Sequence, residues 1–162
     1  MNRIKTVESI MVLKDDYPVI YQNVLVSRAV NTLRTSFHKK DGTWFGFQSL
    51  VVLNKKEIPV GILTLRGLLK ALKMKESGEQ ILKDRFLSDF YFKHYIDDSC
   101  IIVKDIMRPI NLVAVQKDCS MLEAALIIIS KNINSLPVLD GKSLVGIVRT
   151  IDLFWSVGEL LE

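Results

Sequence analysis

The side chains with which this chain could do acid–base or metal chemistry are few. It has two histidines, His38 and His94, and two cysteines, Cys100 and Cys119. A hydrolase or transferase needs a nucleophile beside a base, or a cluster of metal ligands. None of the four stands in a patterned relation to a serine or carboxylate. His38 lies in a stretch rich in Gly, Lys and aromatics, His94 lies in a connector, and the acidic pairs Asp15-Asp16 and Asp97-Asp98 read as solvated turns. The cysteines have no metal-ligand spacing and no His pair nearby, so they read as small buried thiols in a reducing cytoplasm. Lys39, Lys40, Trp44 and Phe45 combine cations with aromatic rings, which can stack on and pair with nucleic acid, but no nucleic-acid motif surrounds them. Catalysis and nucleic-acid binding are both disfavoured, which leaves a non-catalytic domain.

Composition agrees with that reading. Of 162 residues, 49% are hydrophobic and 25% charged, enough apolar material for a packed core and far from a disordered composition. The net charge of +4 is spread along the chain, with no basic block longer than Lys39-Lys40, a pattern suited to small anionic ligands and poorly suited to a nucleic-acid surface. Met1-Asn2-Arg3-Ile4-Lys5 lacks the apolar stretch of a secretory signal, and the longest apolar run, Ala124 to Ile129, is too short to span a bilayer. A cytoplasmic protein without membrane contact is expected.

The chain repeats itself. Val7-Glu8-Ser9-Ile10-Met11 matches Val103-Lys104-Asp105-Ile106-Met107 at an offset of 96. Ser49-Leu50-Val51-Val52-Leu53-Asn54 matches Ser135-Leu136-Pro137-Val138-Leu139-Asp140 at an offset of 86, and Val60-Gly61-Ile62-Leu63 matches Val145-Gly146-Ile147-Val148 at 85. Three matches in one order mean duplication. The fall in offset places about ten extra residues in the first copy, and Phe37 to Phe47 is the obvious site, read as a loop insertion.

In the second copy, Leu112 to Val115 is suited to a strand. Ser120 and Glu123 then form a capping box for a helix to about Ser130. Met121, Leu122, Ala125, Leu126 and Ile129 lie on one face of it and are expected to pack on a sheet. Two strands follow, Leu136 to Leu139 and Leu144 to Val148, joined by the turn Asp140-Gly141-Lys142-Ser143. A second helix starts near Thr150 and carries Leu153, Phe154 and Val157. The first copy gives the same order of strand, helix, strand, strand, helix, with helices at Val26 to Ser36 and Leu65 to Met74 and its hairpin turn at Asn54-Lys55-Lys56-Glu57. Residues 1–75 thus form the first repeat, 76–100 a helical linker and 101–162 the second repeat. The expected class is α+β (mixed α/β), with two small repeats packed sheet to sheet about a pseudo-two-fold axis because neither closes a core alone. Leftover apolar helix faces favour a homodimer.

These residues resemble the CBS domain family, in which an Ile-Met start, a helix with a central Ala, a Leu-Pro-Val strand ending in Asp, a Gly-Lys hairpin and a Val-Gly-Ile-Val strand leading to a helix with Asp recur in order. The second copy keeps Asp105-Ile106-Met107, Glu123-Ala124, Leu136-Pro137-Val138-Leu139-Asp140-Gly141-Lys142, Val145-Gly146-Ile147-Val148 and Asp152-Leu153. The first is divergent: it retains Ser9-Ile10-Met11, Ala29, Val51-Val52-Leu53 and Val60-Gly61-Ile62-Leu63-Thr64 but lacks the Pro and the Asp.

The resemblance implies a tandem pair, or Bateman module, that binds an adenine nucleotide (AMP, ADP or ATP) or a related adenosyl ligand in the cleft between repeats, as a regulatory ligand with no cofactor required. The family's local pattern is a Gly, a Ser or Thr three residues on for a phosphate, and an Asp six residues on for the ribose hydroxyls. In the second copy the Gly is Gly146 and the Asp is Asp152. Arg149 stands in the hydroxyl position with Thr150 beside it, and either forks onto phosphate or is ion-paired or solvated. Asp152 either accepts from the ribose or is simply favoured by the helix dipole. Asn134, Ser135 and Pro137 fall where the family contacts the base through backbone, and Ile110, Asn111 and Leu112 either line the adenine or pack at the core edge. The first copy has Gly61 and Thr64 but Gly67 in place of the Asp. Arg66 either assists a phosphate or is an exposed helix residue. One good site per chain is expected, with output passing through oligomerisation or an effector protein. The alternative is a ligand-free structural or dimerisation module of the same fold.

Overall fold

The structure, a computed structural model, describes residues 5–71 and 100–161. The expected linker, the end of the first repeat's closing helix, His94 and Asp97-Asp98 lie outside the described residues. The chain divides into two compact units, one formed by 5–17 with 110–161, the other by 18–71 with 100–109.

In the first unit, strands β1 (Val12–Leu13), β8 (Val115–Gln116), β9 (Ser135–Asp140) and β10 (Ser143–Arg149) form a sheet in the order β1-β10-β9-β8. β8 runs parallel to β9, while β9, β10 and β1 are antiparallel. Helices α4 (Met121–Lys131) and α5 (Thr150–Leu161) cover it, and Val7, Ala124, Leu136, Val138 and Val148 form a core at 0% exposure. The second unit repeats this plan. β2 (Val19–Tyr21), β5 (Ser49–Leu53), β6 (Pro59–Thr64) and β7 (Arg108–Pro109) lie in the order β2-β5-β6-β7, with α1 (Val26–Ser36), α2 (Leu65–Ala71) and α3 (Val103–Ile106). Its core includes Ala29, Leu50, Val52, Leu63 and Val103. The order of elements in both repeats matches the sequence expectation.

The duplicated motifs meet in space in exchanged pairs. β1 follows Met11 of the first copy yet pairs with β10 of the second, and β7 follows Met107 of the second yet pairs with β6 of the first. A Cβ at Gly146 would lie 2.5 Å from Met11 Sδ and 2.7 Å from the Val12 carbonyl, and one at Gly61 would lie 2.5 Å from Met107 Sδ and 3.0 Å from the Arg108 carbonyl. The Ile-Met and Val-Gly-Ile motifs therefore recur together because each Met closes over the Gly of the other copy, where a side chain would force the strands apart.

Three expectations need correction. Leu112 to Val115 is not a strand: Ile110–Leu112 is a 3-10 turn, and β8 begins only at Val115. The insertion is not a loop but a hairpin, β3 (His38–Lys40) with β4 (Thr43–Phe45), turned by Asp41 and Gly42 at positive φ. That is the turn an Asp-Gly pair favours. The buried face of α4 is Met121, Ala124 and Ile128, while Leu122, Leu126 and Ile129 are 69%, 60% and 75% exposed. The unbroken apolar run Ala124 to Ile129 paints two faces of the helix, and small Ala124 lets the sheet approach where Leu126 would hold it off. Ser120 caps α4 as expected, its Oγ accepting from the Glu123 amide at 3.2 Å.

Cys100 is exposed, contrary to the expected burial, whereas Cys119 is half-buried and its thiol is pushed up to about 11, first by burial and then by Glu123. Among the described residues no helix is long and apolar enough to cross a membrane, and no group of three His, Cys, Asp or Glu could hold a metal ion.

Candidate ligand site

Of the residues expected to contact a ligand, Asn134, Ser135, Arg149, Thr150 and Asp152 come together where β10 enters α5. Arg149 ends β10 opposite Ser135 of β9. The Thr150 amide donates to the Asn134 carbonyl at 3.0 Å, with the Thr150 hydroxyl 3.4 Å from the same oxygen, so Asn134 and Thr150 are brought together. Asp152 then sits three residues into the turn.

Asp152 is already engaged. Its Oδ2 accepts from the Arg149 backbone amide and from Arg149 Nε, both at 2.9 Å, and its Oδ1 accepts from Arg149 Nη2 at 2.6 Å. The pair is largely buried, with side-chain exposures of 28% for Arg149 and 14% for Asp152. The hydrogen bond to Asp152 raises Arg149 above its ordinary value, against the opposing effect of burial. A carboxylate offers about four lone-pair sites, so three donors leave roughly one, on Oδ1, unused by Arg149. The Asp152 bond to the amide of the residue before its helix is also a capping contact. Asp105 makes the same contact to the Ile102 amide, at 3.2 Å.

The other repeat splits this arrangement differently. Thr64 Oγ1 accepts from the Gly67 amide at 3.0 Å, so the hydroxyl caps α2 and no carboxylate is present. A Cβ at position 67 would lie 3.3 Å from the Ile106 carbonyl, a tight but not forbidden approach. Arg66 is exposed on α2. Thr64 and Arg66 belong to one unit and Asp152 to the other.

Asp152 lines a shallow cavity of about 360 Å³ together with Lys5, Ser9 and Ile10 from the N-terminal segment and Trp155, Ser156 and Glu159 from α5. Of the expected residues, Asp152 alone lines it. Ile110 is 5% exposed and packed away, Leu112 is 69% exposed, and Asn111 faces solvent. Ser135 and Pro137 are buried in β9. Trp155 is 66% exposed and meets Phe154 edge to face at 6.1 Å. Lys5 Nζ pairs with Glu159, while its backbone carbonyl accepts from the Met121 amide at 3.0 Å and fixes the segment to the start of α4. Trp155 and Glu159 could have been found from the sequence, since they follow Asp152 at helical spacing. Lys5, 147 positions before Asp152 in the chain, gives no such signal.

A larger cavity, about 550 Å³, lies in the other unit at the ends of β2 and β5, lined by Tyr21, Asn23, Lys55, Lys56 and Glu57 among others. It contains none of the expected residues. Tyr21 donates to Glu57 Oε1 at 3.2 Å, and that carboxylate raises the phenol above its ordinary value.

Residues 103–159 match the model of the CBS domain family. No curated protein matches the chain. Among solved structures, the CBS-pair protein CBSX2 from Arabidopsis thaliana is 20% identical with a TM-score of 0.69, covering 98% of this chain and 97% of that one. A structure of CBSX2 in complex with AMP is 19% identical, TM-score 0.68, covering 97% and 98%. The CBS domain pair of protein MJ0100, in complex with 5'-methylthioadenosine and S-adenosyl-L-methionine, is also 19% identical, TM-score 0.65, with the same coverage. With two sheets of matching topology and motifs exchanged between the copies, the chain has the fold of these CBS-domain pairs, and its second copy matches the CBS domain family.

Proposed function

We propose that the chain is a tandem CBS pair acting as a regulatory, non-catalytic module that binds an adenine nucleotide or related adenosyl ligand at the Asp152 cavity. The observation that carries the reading is the juxtaposition of an Asp152 oxygen with the exposed indole of Trp155 in one cavity, a hydrogen-bond acceptor for a ribose hydroxyl beside an aromatic surface for a base. Base stacking on such a ring is worth about 1–3 kcal/mol, and a cavity of about 360 Å³ suits a ligand of nucleoside size. Similar folds holding AMP, 5'-methylthioadenosine and S-adenosyl-L-methionine support the ligand class. With one lone pair open, Asp152 accepts from one ribose hydroxyl while the Arg149 fork stays closed. The other repeat, with Gly67 in place of a carboxylate, supplies no second site of this kind.

Ligand binding shifts the module only by its difference in affinity between two arrangements, and the readout passes through a homodimer or an effector protein. The exposed stripe Leu122, Leu126 and Ile129 on α4 supplies a surface for the dimer. A second reading, a structural module without ligand, is favoured by the Arg149 fork, because capping alone accounts for Asp152.

Thermal shift with AMP, ADP, ATP and S-adenosylmethionine separates the two. A ligand at a hundred times its Kd stabilises by about 2.7 kcal/mol, or roughly 5–10 °C in Tm for a chain of this size. Trp155→Ala is the informative variant, since Asp152→Ala also removes a helix cap. A shift with one of these compounds, lost in Trp155→Ala, supports the sensor; no shift with any of them supports the structural module.

A further inference from the structure

Resting on that reading, we propose that Lys5 selects the ligand by charge: its ammonium exchanges Glu159 for a phosphate, so the site takes adenosine phosphates in preference to uncharged adenosine or cationic S-adenosylmethionine.

Two cations stand near the cavity. Arg149 is held at two points by Asp152 in a largely buried pair, so turning it toward a phosphate would break both bonds and leave a carboxylate desolvated. Lys5 is held differently. Its partner Glu159 is 63% exposed, and Lys5 itself is 35% exposed. A pair in that setting contributes little, because water and salt screen it. Glu159 can swing into solvent from the outer face of α5. The backbone of Lys5 stays at the cavity, because its carbonyl is bonded to the Met121 amide and Thr6 bridges to Ser120. The cavity therefore presents an ammonium on an anchored backbone, with a weakly held counter-ion, in the same cavity that Asp152 lines. The charges there balance in pairs, Arg149 with Asp152 and Lys5 with Glu159. A phosphate replaces the Glu159 monoanion with a dianion and gains a charge-assisted hydrogen bond. S-adenosylmethionine can offer Lys5 only a monoanionic carboxylate, no gain over Glu159, and its sulfonium and ammonium leave it net cationic beside that lysine.

Calorimetry on wild type, Lys5→Met and Glu159→Gln with AMP, adenosine and S-adenosylmethionine tests this. Met keeps the apolar stem of Lys5, and circular dichroism with melting confirms that each variant folds. Wild type is expected to prefer AMP over adenosine. Lys5→Met should weaken AMP about tenfold, the worth of one hydrogen bond between charged groups, with adenosine within about twofold. Glu159→Gln should tighten AMP several-fold by removing its competitor. Rising salt should weaken AMP in wild type more than in Lys5→Met. An AMP-to-adenosine ratio that Lys5→Met leaves unchanged, or adenosine binding as tightly as AMP in wild type, overturns the charge-selection proposal while leaving the adenosyl reading standing. Absence of binding by all three compounds overturns both.

Discussion

Replacing Gly146 with Ala tests whether the exchanged Met–Gly contacts hold the edge strands in place. The new Cβ would lie 2.5 Å from Met11 Sδ, 2.8 Å from Met11 Cγ and 2.7 Å from the Val12 carbonyl. The thioether can rotate away, but the carbonyl belongs to β1, paired with β10 through Val12 opposite Ile147. Relief requires strand movement, and overpacking of that kind costs about 3 kcal/mol, the upper part of the usual range. The Tm should fall by roughly 6–12 °C. At Gly61 the corresponding carbonyl, that of Arg108, is 3.0 Å away, so Gly61→Ala should cost about half as much. In a Met107→Ala background the Gly61→Ala cost should fall without vanishing, because the thioether is gone but the Arg108 carbonyl at 3.0 Å remains. In a Met11→Ala background Gly146→Ala should still cost at least about 1 kcal/mol. Gly158→Ala is the control: nothing lies within 4 Å, and the position is inside α5. Helix propensity should make it stabilising by about 0.5–1 kcal/mol. Urea denaturation of the seven variants supplies the cycles, and a Gly146→Ala cost within about 0.5 kcal/mol of the Gly61→Ala cost would refute the reasoning.

Other consequences can be measured separately. Arg149→Lys removes the two-point fork and should lower stability by about 1 kcal/mol, while freeing lone pairs on Asp152; adenosine affinity should rise, and a fall would show that Arg149 itself meets the ligand. Leu126→Glu should convert a dimer to monomer in sedimentation and lower the melting temperature of concentrated protein by the dimer's own contribution to stability; an unchanged mass would remove α4 from the interface. For Cys119, whose thiol titrates near 11, the thiolate is scarce at neutral pH, and alkylation should stay slow until pH passes about 10. Exposed Cys100 is expected to react first at pH 8, and mass spectrometry after timed iodoacetamide treatment gives the order; faster labelling of Cys119 would contradict its burial.

Much of the architecture was legible in the residues because local physics writes it there. The Ser120 cap, the turn at Asn54 with its side chain accepting from the Lys56 and Ile58 amides, and the two β-branched runs of each repeat announce their own conformations. The repeat was legible because three motifs recur in one order. The orientation of α4 was not: an apolar run six residues long satisfies either face, and only the fit of Ala124 against the sheet chooses. The hairpin at 38–45 read as a loop although its Asp-Gly turn was in view. At the candidate site the sequence marked Asp152 but not its state. Whether a carboxylate faces a ligand or a neighbouring guanidinium depends on backbone geometry at the β10–α5 turn, and the meeting of Lys5 with Glu159 depends on where the N-terminal segment docks. The order of elements and the residues that cap and turn them were determined by sequence alone, because those forces act within a few positions. Tertiary structure decided which Met covers which Gly and which charges meet in the cavity, because those contacts join residues far apart in the chain.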